Sequence, residues 1–188
     1  MAETPDSPAR LLADFRRSEE SLKWRTVLDG VMGGRSSGDF SLVDGVMTFE
    51  GDLNTNGGGF SSVRRDTSHF ALGTTEEVGI RIRVRGDGRS YSLCLRQPVV
   101  SQGLTASYGA GFTAPQSQQW HDVYLPYSSF SPTWRGRKLD LPSVAPSKVD
   151  EIGIMIADGT DGPFRIEVSE IATYVSCASE GHRPDCSC

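Results

Sequence analysis

The residues best suited to hold another group lie in two glycine-dense turns, Asp29-Gly30-Val31-Met32-Gly33-Gly34 and Asn56-Gly57-Gly58-Gly59-Phe60. Glycine permits positive φ and a close approach of backbone to a neighbour. Ordering such turns costs chain entropy, so they are not expected to be idle linkers. Asp29, Gly33, Gly34 and Ser36, with Gly58 and Gly59, can present backbone N–H groups to an anion or to a partner's carbonyl. No helix is expected after Gly33-Gly34, so the helix-terminus component of a phosphate site is missing. The same residues also read as a structural corner, with Met32 tucked into the core and Asp29 capping backbone amides.

Arginines form the second set. Arg64 and Arg65, with Arg81, Arg83, Arg85 and Arg89, build a basic concave face if their strands are neighbours. Guanidinium forks suit carboxylate or phosphate partners and stack on aromatic rings. The opposing reading is a solvated sheet face balanced by acidic residues across strands. A docking face predicts that Arg81→Glu with Arg83→Glu leaves folding intact and abolishes partner binding. Among the aromatic residues, Trp120 and Tyr91 fall in strand patterns and are expected in the core, whereas Trp134, in Pro132-Thr133-Trp134-Arg135, is expected to be exposed. An exposed ring flanked by polar groups is what stacking on a sugar requires. Trp134 and Arg135 therefore join the candidate binding residues, as does Asp87 in the Gly86-Asp87-Gly88 turn.

Catalytic patterns are thin. His69, His121 and His182 lie in unrelated contexts, and no Ser-His-Asp order, HExxH or P-loop occurs. His121 and Asp122 are adjacent in a strand pattern, so their side chains point to opposite faces. Asp87, Asp158 and Asp161 stand in turns, where aspartate serves the backbone; a calcium site among them is the lesser reading. Cys94 falls in a strand, and Cys177, Cys186 and Cys188 surround His182 without the paired CxxC spacing of a zinc site. No catalytic residue, metal or cofactor is expected.

The elements that must position these residues are short strands. Arg10–Phe15 leans towards a strand and Arg16–Lys23 towards a loop or helical turn. From residue 38 the period is two, with a hairpin at Val43-Asp44-Gly45. Glu77–Arg85 sends Val78, Ile80, Ile82 and Val84 to the core and Arg81, Arg83 and Arg85 outward. Tyr91, Leu93 and Leu95 point inward from the next strand, residues 97–107 read as a long loop, and strands follow at 109–114 and 119–125. Residues 127–142 read as a connecting loop exposing Arg135 and Arg137. Ile152, Ile154 and Ile156, then Phe164, Ile166 and Val168, mark two more strands around an Asp158–Pro163 turn. Nine or ten short strands without a long amphipathic helix make an all-β sandwich, and the long loops favour a jelly roll.

At 188 residues the chain is expected to be one domain over 10–175, with a flexible N-terminus at 1–9 and a flexible cysteine-containing tail at 176–188. Apolar content of 37%, charged content of 23% and a net charge of −5 fit a soluble protein and argue against coating nucleic acid. No apolar run approaches the roughly 18 residues of a membrane span. The acidic start, with Glu3, Asp6 and Asp14, lacks an apolar signal core and is unlike a transit peptide. The chain is expected in the cytoplasm, and in mitochondria only if a presequence has been removed.

The W-x4-D-G-V-M-G-G-x-S run from Trp24 to Ser36 resembles the start of the CIA30 domain, the complex I intermediate-associated protein 30 family. Further matches in family order are Phe49-Glu50-Gly51, Gly58–Arg64, Arg85–Tyr91, Leu125-Pro126-Tyr127 with Phe130, Arg135-Gly136-Arg137 and Gly162-Pro163-Phe164, so the resemblance covers about Phe15 to Tyr174. It implies a single galactose-binding-domain-like jelly-roll β-sandwich. Mitochondrial members of the family act as chaperones in assembling respiratory complex I, and the family has no agreed catalytic residues. The resemblance therefore implies a non-enzymatic protein-binding or assembly factor whose partners include respiratory complex subunits. The alternative is a carbohydrate- or small-ligand-binding module using the concave sheet face.

Overall fold

The computed structural model describes residues 8–67, 72, 76–99, 103–134 and 137–176. Their period-two alternation folds into strands β1 (Pro8–Ala13), β2 (Trp24–Leu28), β3 (Ser37–Val43), β4 (Val46–Leu53), β5 (Ser61–Asp66), β6 (Glu77–Gly86) and β7 (Ser90–Val99). The chain continues through β8 (Leu104–Thr113), β9 (His121–Pro126), β10 (Ser131–Trp134), β11 (Arg137–Lys138), β12 (Glu151–Ile156) and β13 (Gly162–Val175). One sheet is ordered β3-β4-β13-β6-β9, with β1 also on β13; the other is ordered β11-β10-β8-β7-β12-β5-β2. Every pairing between these strands is antiparallel. The fold is an all-β jelly-roll sandwich, as its alternating pattern predicts.

The core lies between the two inner faces. Met47, Phe49, Ile80, Ile82, Val84, Phe164, Ile166 and Val168 come from the six-stranded sheet. Val63, Tyr91, Leu93, Leu95, Tyr108, Ile152, Ile154 and Ile156 come from the seven-stranded one. Removing these side chains from water is the main term holding the layers together. The expected hairpin joins β3 to β4 through Asp44 (φ 51°) and Gly45 (φ 78°), the two positive φ values that a tight two-residue turn needs.

Three expectations need correction. Residues 97–107 are not a long loop: β7 and β8 stay paired out to Val99 and Leu104, because the alternation continues through Pro98 and Thr105 at the solvent face. The 127–142 stretch is not wholly loop either, since β10 pairs with β8 and then with β11 at the sheet's edge. Val78 is 38% exposed rather than in the core, because β6 meets β13 irregularly between Tyr174 and Val175 and the bulge turns it out.

Arg16–Lys23 resolves into a 3-10 helix at Ser18–Lys23. Its Glu20 is only 2% exposed and accepts from Trp24 Nε1 at 3.3 Å, while Arg65 Nε lies at 3.1 Å. That contact pins the helix to the end of the seven-stranded sheet. Among the described residues no helix is long and apolar enough to cross a membrane. Residues 1–7, His69, Arg135 and the 177–188 tail, with Cys177, His182, Cys186 and Cys188, lie outside the described residues.

Candidate functional site

The first glycine-dense turn is a 3-10 turn over Asp29–Met32 that ends at Gly33, whose φ of 86° is left-handed. Asp29 is completely buried. Its carboxylate accepts the Ser36 hydroxyl at 2.6 Å, the Ser36 amide at 3.1 Å, the Gly59 amide at 2.7 Å and the Phe60 amide at 3.3 Å. Ser36 Oγ in turn accepts the Asn54 amide at 3.0 Å. Burial opposes ionisation of Asp29, but these donors outweigh it and hold the carboxyl below its ordinary value. A Cβ on Gly34 or on Gly58 would come closer than 3.0 Å to that carboxylate. Asp29, Gly33, Gly34, Ser36, Gly58 and Gly59 are thus brought together, but as a knot around the chain's own anion. The Ser36, Gly59 and Phe60 amides are already used, which overturns the reading of this loop as an anion cradle. The side chain of Met32, expected in the core, lies outside the described residues.

A second knot closes the opposite turn. Asp87 accepts the amides of Arg89 at 2.9 Å and Arg165 at 2.7 Å, and the Tyr91 hydroxyl at 2.9 Å. Burial, reinforced by Asp87, pushes the Tyr91 phenol far up. Arg89 spans the Asp158 carboxylate at 3.0 and 2.7 Å and donates to the carbonyls of Gly162 and Pro163, each at 2.9 Å, and to that of Thr160. Asp161 accepts the Thr55 amide at 2.7 Å. Asp87, Asp158 and Asp161 are therefore each engaged by the chain's own donors.

The arginines do not form one face. β5 and β6 lie in different sheets, so Arg64 is on the opposite side of the sandwich from Arg81, Arg83 and Arg85. Arg65 points inward and is 6% exposed, because its register neighbours Trp24 and Ile152 are core residues. Arg81 is only 9% exposed, between Glu170 and Asp122, the latter at 3.2 Å. Arg83 reaches Asp122 at 3.7 Å, and Arg85 pairs with Glu167 while its guanidinium sits 4.6 Å over the Trp120 ring. Trp120 is thus half-buried outside the core rather than within it. Trp134 is 38% exposed at the end of edge strand β10.

A cluster that the sequence reading missed occupies the outer face of the seven-stranded sheet. The Glu151 side chain is 5% exposed, and Arg25, Arg64 and Arg96 converge on it, the last two at 3.5 and 3.6 Å. Arg96 also holds Asp150 at 2.9 Å, a hydrogen bond that raises its own pKa. The signal was present in parity: Arg96 alternates with inward Leu95, and Glu151 with Ile152. Only the strand order, β2 beside β5 beside β12 beside β7, brings the three arginines together. Across the next strands the same face carries Ser62, Met155, Ser92 and Gly111 in one row and Gly153, Cys94, Gly109 and Ser131 in another. Neither row holds an aromatic ring. Burial pushes the Cys94 thiol up to about 11, so it is a poor nucleophile near neutral pH.

A family model described as complex I intermediate-associated protein 30 (CIA30) matches residues 13–168. The chain is similar to the mitochondrial complex I intermediate-associated protein 30 of Mus musculus, 27% identical over 195 residues covering 90% of this chain and 57% of that protein. It is also similar to a probable mitochondrial protein of the same description from Caenorhabditis elegans, 34% identical over 120 residues covering 61% of this chain and 32% of that protein. The chain therefore spans between a third and just over half of these relatives. Among solved structures it resembles the family 11 carbohydrate-binding module of the cellulosomal cellulase Lic26A-Cel5E of Clostridium thermocellum. That match has a TM-score of 0.66 at 14% identity, covering 97% of this chain and all of that module. At that identity the likeness is one of fold.

Proposed function

The chain belongs to the CIA30 family, and we propose that it is a non-enzymatic assembly factor that holds partner polypeptides while a respiratory complex is built. The observation that carries this reading is the family match over residues 13–168, which takes in both knots and nearly all of the sandwich. The described residues support it by what they do with their chemistry. The polar side chains of the two knots are consumed in fixing loops, and what is left for a partner is an outer sheet face with convergent arginines. The relatives are mitochondrial by name, so the compartment we propose is the mitochondrion rather than the cytoplasm expected from the N-terminal residues.

The alternative, a carbohydrate-binding module, has the shared fold in its favour, and fold alone does not carry a ligand. Sugar sites need exposed rings over a groove, and the outer rows of the seven-stranded sheet offer none. The test is a native-gel or gradient profile of the endogenous protein with mass spectrometry of whatever co-migrates. Co-migration with partly built respiratory-complex subunits is the expected result; migration at the size of the free chain overturns the reading.

A further inference from the structure

We propose that the outer face of the seven-stranded sheet docks an extended acidic segment of a partner polypeptide. Its carboxylates would meet Arg25 and Arg64, and its backbone would lie over Gly109 and Gly111. This rests on the assembly-factor reading and names the surface and the chemistry of the partner.

The two outer faces of the sandwich differ in how their charges are met. On the six-stranded sheet Arg81, Arg83, Arg85 and Arg165 face Asp122, Glu170, Glu167 and Glu50, so cations and anions match in number. On the seven-stranded sheet Arg25, Arg64 and Arg96 turn to a single carboxylate, Glu151. Asp150 and Asp66 both act on Arg96, which leaves Arg25 and Arg64 sharing the one charge of Glu151. Their side chains are 50% and 31% exposed, so their remaining donors reach solvent. Guanidinium forks of this kind are complementary to carboxylates, which accept two parallel N–H bonds. A net charge of −5 makes the rest of the molecule a poor surface for nucleic acid and confines the attraction to this patch.

The floor beside the arginines is built for a backbone. Gly109 and Gly111 stand in the middle of β8 without positive φ, and a Cβ at Gly109 would meet nothing within 4 Å. Neither turn geometry nor internal packing at Gly109 calls for glycine, which weakens a strand interior. Glycine there instead leaves room for the close approach of another chain. Across the register Arg64, Gly153, Cys94 and Gly109 are successive partners on β5, β12, β7 and β8. Three strand spacings put Gly109 roughly 14 Å from Arg64, a distance about four extended residues cover. A segment with carboxylates at one end and small or apolar residues after them fits this floor.

The test uses the full chain and a labelled peptide of alternating aspartate and valine, about eight residues long, with a lysine–valine peptide as its control. Two variants are needed, because removing the arginines beside buried Glu151 can itself loosen the sheet. Arg25→Ala with Arg64→Ala removes the charge, and Gly109→Gln fills the floor where there is open space. The expected result is binding of the aspartate peptide alone, weakened about tenfold or more by either variant, with the melting temperature of Gly109→Gln unchanged. Failure of the wild-type chain to bind the aspartate peptide, equal binding by Gly109→Gln, or full displacement by inorganic phosphate at equal charge each overturns it. The two readings separate in the gradient profile. If both variants still co-migrate with the wild-type partners, the surface fails and the assembly reading stands. If the wild type co-migrates with nothing yet loses the peptide in both variants, the assembly reading fails and the acidic-segment surface stands.

Discussion

The Ser36 hydroxyl donates to the Asp29 carboxylate at 2.6 Å, and the same carboxylate takes the amides of Gly59 and Phe60, some thirty residues further along the chain. One fully buried side chain thus ties the turn after β2 to the turn before β5. Asp29→Ala leaves several buried donors without an acceptor, and each such donor costs about 1–3 kcal/mol. The expected loss is about 3 kcal/mol in urea unfolding, with the sheet content of the folded state kept. A loss under about 0.5 kcal/mol would mean that water replaces the carboxylate and that the knot does not organise the loops.

Gly34 is tied to the same knot through space rather than through φ. A Cβ there would overlap the Asp29 carboxylate, which is held by its donors and cannot step aside. Gly34→Ala is expected to destabilise by about 2 kcal/mol, as forced overpacking does. In the Asp29→Ala background the obstacle is gone, so the same substitution should cost much less. Additive effects in that double-mutant cycle would sink the steric account.

Acid should loosen both knots over one pH range. Asp29 is held below its ordinary value of 3.8 by its hydrogen-bond donors against the opposing effect of burial, and Asp158 is held below 3.8 chiefly by Arg89. A carboxyl whose folded pKa is depressed adds stability above its unfolded pKa and loses it as pH falls through the folded one. Their contribution should therefore be constant from neutral pH down to about 4 and decline below that. Arg89→Lys should flatten the decline, since an ammonium cannot span Asp158 and the carbonyls of Gly162 and Pro163 together. Urea midpoints of wild type and Arg89→Lys across this range test it; parallel curves would remove Asp158 from the account.

The sandwich was legible because each inner face is written locally. Ile152, Ile154 and Ile156 alternate with exposed or small residues, and Asp44-Gly45 announces its own turn. The site was not legible, because parity says which side of its own sheet a residue takes and nothing about which sheet that is. Arg64 and Arg81 are both outward arginines of neighbouring segments, and the crossover from β5 to β6 puts them on opposite sides of the protein. Glu151 has its charge partners on β2, β5 and β7, far apart in sequence, so no spacing rule could have found them. Asp29 was visible as a capping residue, and its partners at Gly59 and Phe60 were quoted in the same stretch, yet the link between them exists only in three dimensions.

The same geometry separates two arginines that the sequence treats alike. Arg81 is 9% exposed between Asp122 and Glu170, whereas the Arg83 side chain is 44% exposed and touches Asp122 at 3.7 Å. Arg81→Glu would set three carboxylates together in a nearly closed site, and the expected loss is about 2 kcal/mol or more. Arg83→Glu, mostly in solvent, should change stability by no more than about 0.5 kcal/mol. The expectation that both can be reversed without harm to folding therefore holds for Arg83 alone, and Arg83→Glu is the variant that can probe binding on the six-stranded face. Thermal unfolding of the two single variants decides it. Equal melting temperatures would mean that Arg81 is not held between its two acids.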